Sequence, residues 1–416
     1  MKIGEVRHPE RARFGKPLDG VRILALEQQQ ALPFATQLLA RLGADVVRLE
    51  HPERGDTSRL THPHVKDPKG AITGSTFLRN NMNKRSIAVD IKSEAGREII
   101  RKLACRFDVF AENFRAGTLD RLNLGYADLA PINPRLIYAS ISGFGMNPAS
   151  PYFGQAAFAP IVEALSAFYD FKRKPDQAPV IGVAGALGDT ATAMFAAVGI
   201  LAALRHRDAT GDGQHIDIAM YDTMVSMVDV MINYYSLGKP STLTPANLTA
   251  GFRAKDGYFV LQCTRQPHFV ALARIVDRPE WIEDQRLQNG AGWGAHIEDV
   301  IRPAVEDWAT NLTRDEACAI IANAGIAVGK CQSIQEVIAD PHIVVRDMIV
   351  SVDRVDGVTQ PALVPGNPIK LSNMAEGPER RAPWLGEHTS ELLEAELGLS
   401  PREIAELAAD GIVSCF

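Results

Sequence analysis

The sequence predicts an α/β protein whose sheet is mostly parallel, accompanied by a smaller α+β domain. Three observations predict it. Short apolar runs alternate with segments of helical periodicity from Val21 to Met220, the pattern of strands joined by crossover helices. That regular alternation stops after about residue 225. The 416 residues also exceed the size at which a single hydrophobic core stops growing, so a second domain or a large insertion is required.

Composition narrows the function classes. With 46% hydrophobic residues, 23% charged residues and a net charge of −6, the chain reads as an ordinary globular protein. It does not read as a polyanion binder, a disordered tail or a membrane protein, so nucleic acid and bilayer are excluded as partners and any basic patch is local, suited to a small anion. Cys105, Cys263, Cys318, Cys331 and Cys415 are odd in number and scattered, without a C-x-x-C pair; they predict a reducing cytoplasm and no metal site. Met1 to Lys16 is charged and lacks the apolar core of a signal peptide.

The elements follow in order. Val21 to Leu26 reads as a strand, Pro33 stands where a helix begins, Phe34 to Leu42 has helical periodicity, Gly43 closes it, and Asp45 to Leu49 is a second strand. This βαβ layout resembles a Rossmann half, and Glu50 ends its second strand. The first turn, however, is Gln28-Gln29-Gln30-Ala31 without a glycine fingerprint, which argues against a nicotinamide or flavin dinucleotide. The loop from His51 to Gly74, with Arg54-Gly55-Asp56 and Arg59, reads either as a solvated surface turn or as part of a site.

Asn83-Lys84-Arg85-Ser86 leads into a strand from Ile87 to Ile91, then a helix from Ser93 to Phe107, then a strand from Asp108 to Ala111 that ends in Glu112-Asn113-Phe114-Arg115. Ligands of open α/β sheets lie beyond the carboxyl ends of strands, which makes Asn113, Phe114 and Arg121 candidates to hold a nucleotide. The strand Leu136 to Ile141 precedes Ser142-Gly143-Phe144-Gly145, whose small residues allow backbone to approach a ligand; Phe144 suits a core equally well. A mostly apolar helix, Ala156 to Phe171, and a polar connection, Lys172 to Ala178, lead to the stretch from Val183 to Leu204.

In that stretch a single acid, Asp189, stands at the mouth of an apolar helix. Met194, Phe195, Val198, Leu201 and Leu204 follow helical spacing, which puts Gly188-Asp189-Thr190 at the N-cap and first turn, with Gly185 and Gly188 leaving the approach bare. Two readings of Asp189 stand. It is an N-cap accepting first-turn N–H groups, or it is a nucleophilic carboxylate, ionised at neutral pH and flanked by N–H groups suited to an oxyanion.

A turn from Thr210 to Gln214 and a strand from His215 to Met220 complete the alternation. Met224 to Tyr235 then reads as a long helix, Lys239 to Ala250 as a linker rich in Pro, Ser and Thr, and Gly251 to Cys263 as a hairpin about Lys255-Asp256-Gly257-Tyr258. The domains predicted are a large one over residues 1–225, a linker over 226–245, a small α+β domain over 246–340, a second linker over 341–365 and a return to the large domain over 366–416, whose helical stretch Ser390 to Leu407 serves packing.

A set of separated motifs carries a resemblance over nearly the whole chain. They are Leu42-Gly43-Ala44-Asp45-Val46 with Gly55-Asp56, Asn83 to Ile87, Glu112 to Arg115 followed by Leu119-Asp120-Arg121-Leu122, and Asn133-Pro134-Arg135-Leu136-Ile137. Lys255-Asp256-Gly257, Asp340-Pro341, Gly366-Asn367-Pro368-Ile369 and Gly386-Glu387-His388-Thr389 follow in the second half. In these the chain is similar to the class III CoA-transferases, a family that also holds carnitine CoA-transferase, formyl-CoA:oxalate CoA-transferase and the alpha-methylacyl-CoA racemases.

The resemblance implies a large Rossmann-like domain built from both chain ends, a smaller domain between them, and a homodimer of interlocked ring-shaped subunits. It implies that Asp189 is the catalytic aspartate of a transfer between an acyl-CoA and a carboxylic acid, through a mixed anhydride and an aspartyl-CoA thioester, with no metal and no permanently bound cofactor, coenzyme A being part of the substrate. CoA contacts map onto Gln30, Ala31, His51, Val89, Asp90, Ile91, Lys92, Asn113, Phe114, Arg115, Arg121, Ser142, Gly143, Phe144 and Gly145. Arg121 and Lys92 suit phosphate and Phe114 suits adenine, while Gln30 suits the acyl group as well.

Three departures narrow the choice. Racemases of the family carry a histidine in a Gly-His segment where this chain has Gly154-Gln155, and glutamine cannot shuttle a proton at neutral pH. The formyl-CoA group carries a lysine where Ser142 stands and a glycine run absent from Lys239 to Gly251; Ala116 replaces a common proline. A transferase is the reading, with a racemase or epimerase, or an acyl-CoA-binding protein without turnover, as alternatives. Arg253, Arg265, His268 and Trp293 either bind a second carboxylate or line surface.

Overall fold

The computed structural model describes residues 1–169, 177–182, 185–238 and 247–416. Residues 172–176 of the polar connection, Val183 and Ala184 at the start of the Asp189 stretch, and 239–246 of the Pro/Ser/Thr-rich linker lie outside them. The chain divides into one unit of Met1–Ile232 with Val344–Phe416 and a second of Asn233–Ile343.

In the first unit, strands β1 (Arg22–Leu26), β2 (Asp45–Glu50), β3 (Arg85–Val89), β4 (Val109–Glu112), β5 (Ile137–Ser142) and β6 (Gln214–Ala219) form a parallel sheet. These runs form strands because residues of both parities are apolar. In β1, Ile23 and Ala25 enter one core while Leu24 and Leu26 enter the other, as strands covered on both faces require. The order is β3-β2-β1-β4-β5-β6, and one further strand, Val413–Ser414, pairs antiparallel with β3 at the edge. Strand order therefore reverses between β1 and β4, the place where open α/β sheets open a ligand crevice.

Helices α1 (Ala31–Arg41), α2 (Glu94–Ala104), α3 (Ala159–Leu165), α4 (Leu187–Thr210) and α5 (Met220–Met227) cover the sheet, with α1 and α4 contributing to one core and α2 to the other. Ser93 caps α2 through the Gly96 N–H. The helix predicted from Ala156 to Phe171 is shorter: Pro160 opens α3 and Ala167 takes a left-handed φ of 64°, which ends it. The long helix expected from Met224 to Tyr235 breaks at Asp229, φ 53°, into α5 and a short helix, Met231–Ser236. Gly398 likewise divides the tail into Thr389–Leu397 and Pro401–Ala409.

α4 turns an unexpected face inward. Ala193, Ala196, Ile200 and Ala203 are buried, whereas Met194, Phe195, Val198 and Leu201 are exposed and, of the five large residues at helical spacing, Leu204 alone is buried. Small residues allow close packing on α1, so the bulky stripe is left outside. This helix is long and apolar enough to cross a bilayer, and half of that apolar window is buried inside the protein.

The second unit holds a three-stranded antiparallel sheet, Leu248–Ala254, Gly257–Cys263 and Ala327–Lys330, the second strand central. Its core includes Trp293, whose ring stacks on Phe269 at 4.7 Å and 8° and whose indole N–H donates to the Leu287 carbonyl at 2.7 Å. Trp293 is therefore a core residue and not a ligand contact.

Candidate active site

The crevice at the reversal between β1 and β4 is built by the two loops that leave those strands. Asn113 clips them together: its Oδ1 accepts the Gln28 N–H at 2.8 Å and its Nδ2 donates to the Gln28 carbonyl at 2.8 Å. The separate acceptor and donor atoms of the amide allow both bonds at once. The side chain read as a nucleotide contact is thus engaged in fixing the loop. Gln29 is left-handed, φ 61°, and its N–H donates to Asp56 Oδ1 at 3.1 Å. Gln30 follows as the N-cap of α1 and faces the cavity.

A layer of buried charge supports these loops from below. Arg48 donates to Asp56 at 2.8 Å and lies over the Phe77 ring at 4.4 Å. Lys84 donates to Glu27 at 2.6 Å and to the Pro33 carbonyl at 2.8 Å. Arg59 makes a fork on Glu50, 2.7 Å to each oxygen. Burial pushes the Glu50 carboxyl up, but Arg48 and Arg59 together outweigh it and hold it down at about 2. Asp56 and Arg59 are buried, which corrects the reading of His51 to Gly74 as a solvated turn: the loop carries acids and bases because it closes a buried ion network.

Two cavities open above this layer. One, of about 250 Å³, is lined by Gln30, Ala31, Asn113, Arg115, Ser142, Gly143 and Asp189. The other, of about 180 Å³, is lined by His51 and by Val89, Asp90, Ile91 and Lys92 beyond β3. Gln28 and Phe114 line both. The Phe114 N–H donates to Glu112 at 2.8 Å, and burial pushes that carboxyl up to about 7. Of the sixteen site residues read from sequence, thirteen line these cavities, and Arg121, Phe144 and Gly145 line neither. Arg121 is exposed, 3.3 Å from Thr118 Oγ1; Phe144 stacks on Tyr152 at 4.8 Å; Gly145, φ 82°, closes a turn onto Ser142 Oγ. The glycine at 143 serves the chain itself, since a Cβ there would stand 2.4 Å from that of Ala157.

Asp189 lies in the first turn of α4 but does not cap it. The N-cap is Ala186, which has no side-chain cap bond. The cap comes instead from α3: Glu163, buried, accepts the Gly188 N–H on Oε1 at 2.8 Å and the Tyr169 hydroxyl on Oε2. Gly188 is not bare either. An added Cβ would lie 2.9 Å from Ala159 Cα, so the glycine lets α4 seat on α3. The neighbouring N–H groups are also occupied, Gly188 by Glu163 and Thr190 by the Ala186 carbonyl, which removes them as oxyanion donors. Among the described residues no hydrogen bond reaches the Asp189 carboxylate. Burial, and after it the Glu163 charge, push its carboxyl up to about 6, so the acid is mostly but not wholly ionised at neutral pH.

Sequence reasoning missed Gln28, Phe158 and Met220 in the Asp189 cavity, and Arg54, in the loop that it read two ways, lines the other. Gln155, noted as a departure, lines the Asp189 cavity. Glu163 was missed too, although a lone acid in the apolar run Ala159–Leu165 was a signal. Arg265 is exposed and 3.0 Å from His268 in the second unit.

Comparison with known proteins identifies the family. The family described as CoA-transferase family III matches residues 18–389. A succinyl-CoA:mesaconate CoA-transferase of Haloarcula hispanica is 35% identical over 396 residues, 93% of this chain and 98% of that protein. A succinyl-CoA–D-citramalate CoA-transferase of Chloroflexus aurantiacus is 32% identical over 414 residues, covering 96% and 98%. The crystal structure of a CAIB/BAIF family protein from Brucella suis superposes with a TM-score of 0.80 at 31% identity, over 92% of this chain and 99% of that one.

Proposed function

The chain belongs to CoA-transferase family III and is a CoA-transferase, and on that premise we propose that it moves CoA from an acyl-CoA donor to a carboxylic acid through covalent intermediates on Asp189. The observation that carries the reading is a carboxylate without a hydrogen-bond partner among the described residues, facing the cavity at the strand-order reversal.

The chemistry balances without a proton. One Asp189 oxygen attacks the thioester carbonyl; the C–S bond breaks, giving a mixed anhydride and CoA thiolate. The thiolate attacks the aspartyl carbonyl and expels the donor acid as a carboxylate, leaving an aspartyl-CoA thioester. The acceptor carboxylate attacks that thioester, a second anhydride forms, and the thiolate takes the acceptor acyl group, freeing Asp189. A carboxylate is a weak nucleophile, so the geometry must hold the thioester close and exclude water, which would hydrolyse the anhydride. With the Gly188 and Thr190 N–H groups engaged, the side-chain amides of Gln30 and Gln155 are the donors that we assign to the developing oxyanion. CoA we place across both cavities, its phosphates near Lys92 and Arg54 and its sulfur toward Asp189.

For the donor we assign a succinyl-type thioester, following the relatives above. A homodimer covers the exposed stripe of Met194, Phe195, Val198 and Leu201, and five free cysteines fit a cytoplasmic site of action. The test is intact-protein mass spectrometry after mixing with succinyl-CoA and a panel of other acyl-CoAs, with and without hydroxylamine, for the wild type and Asp189→Ala. A hydroxylamine-sensitive adduct that Asp189→Ala lacks is the expected result. Its absence with every donor refutes the mechanism.

A further inference from the structure

Glu163 is a buried acid with no part in the transfer steps above. It sits on α3 with both oxygens accepting, one from the Gly188 backbone and one from Tyr169. Gly188 immediately precedes Asp189, and its missing side chain lets the first turn of α4 rest on Ala159 and Val162. An apolar residue in place of Glu163 would fill the same space against the core, so the acid is there for its oxygens and its charge.

We propose that Glu163 is a positioning residue for the transfer reaction: its carboxylate fixes the first turn of α4, and with it the direction of the Asp189 side chain, while keeping a second negative charge beside the nucleophile. The inference rests on the reading of Asp189 as nucleophile. The fixed backbone limits the arc that the attacking oxygen can sweep, the kind of orientation on which a weak nucleophile depends. The neighbouring charge opposes ionisation of Asp189, making the carboxylate a stronger base and a better nucleophile once ionised.

The other groups around that turn leave Glu163 as the acid in control. Tyr169 donates to Glu163, Tyr221 on α5 donates to the Leu165 carbonyl, and Asp222 follows it. β6 presents Ile216 and Ile218 to α4 at Gly199. Arg41, the charged residue of α1, sits at the far end of that helix and pairs with Glu379, and Arg115 lines the cavity with Asp189.

The experiment compares wild type, Glu163→Gln, Glu163→Ala and Asp189→Asn, with succinyl-CoA as donor and labelled succinate as acceptor, over pH 5 to 8, as about 0.5-unit steps. Glutamine keeps an oxygen for the Gly188 N–H and removes the charge. Its kcat is expected within about threefold of wild type, with the acid limb of kcat/KM moved roughly 0.5–1 unit lower. Glu163→Ala loses the acceptor as well, and its kcat is expected to fall about tenfold at unchanged KM. An inactive Asp189→Asn beside Glu163 variants that keep the wild-type kcat and acid limb overturns the positioning role and leaves the nucleophile intact. An Asp189→Asn variant that turns over like wild type overturns the nucleophile and this proposal together.

Discussion

Replacing Gly188 by alanine separates geometry from stability at the nucleophile. The new Cβ would stand 2.9 Å from Ala159 Cα and 3.0 Å from Val162 Cγ2, whereas packed carbons rest about 3.5–4.0 Å apart. α3 and α4 must therefore part by roughly 0.6–1 Å. The 2.8 Å bond from the Gly188 N–H to Glu163 then stretches toward or beyond the range of a useful hydrogen bond. Overpacking of this kind costs about 1–3 kcal/mol, and alanine returns up to about 1 kcal/mol in helix propensity, so the net loss is roughly 0–3 kcal/mol. A displacement near 1 Å at the reacting carboxylate costs about 100-fold in rate, close to 2.7 kcal/mol of barrier. Gly188→Ala is therefore expected to unfold within a few degrees of wild type and to lose about two orders of magnitude in kcat/KM. Thermal melts and steady-state transfer rates on one preparation decide it. A variant with kcat/KM within threefold of wild type would refute the claim that the α3–α4 contact aims Asp189.

The remaining predictions use other parts of the molecule. Asp189→Asn is expected to raise thermal stability more at pH 8 than at pH 5. A carboxyl raised from 3.8 to about 6 in the folded state favours folding when protonated and loses that contribution as pH rises through 6; equal gains at both pH values would contradict it. Lys84→Met leaves the fully buried Glu27 without its cation and should cost roughly 3–5 kcal/mol in urea unfolding, with a loss under about 1 kcal/mol counting against the buried pair. Val198→Glu places a charge in the exposed stripe of α4 and should convert the proposed dimer to monomer or to insoluble protein in sedimentation. An unchanged dimer would move the interface elsewhere.

The six parallel strands were legible because doubly buried strands write themselves as apolar runs, and each falls within a residue or two of its predicted place, as Ile137–Ser142 does against Leu136 to Ile141. Their lateral order was not legible, since nothing local says that β1 lies between β2 and β4. Burial of charge was also hidden. Arg48 sits in the run Asp45–Glu50 as if on a solvated face, yet it is fully buried because Glu50 and Asp56 meet it there. The α4 stripe misled in the opposite sense: helical spacing marks a shared face but not which side of it the core lies on. At the candidate site, Asp189 stood out in sequence as a lone acid at the mouth of an apolar helix, and it lines the cavity. Glu163, 2.8 Å from the Gly188 N–H, is a tertiary partner that only folding brings to it.

The edge strand Val413–Ser414 sets an order of events during synthesis. Val413 and Ser414 pair with Val89 and Ala88, and the Asp90 N–H donates to the Ile412 carbonyl at 2.8 Å. The Arg59 guanidinium reaches the Pro383 carbonyl at 3.1 Å, and the Ser86 hydroxyl accepts the Gly386 N–H at 3.1 Å. The walls of the His51 and Lys92 cavity, all encoded before residue 115, thus wait for residues translated some 270 positions later. A nascent chain holds β1 to β6 long before this brace exists, with the β3 edge unpaired and available to other chains. Termination a few residues short of Ile412 would then produce a polypeptide with a loosened cavity rim and an open edge, a liability for aggregation more than a partly active enzyme.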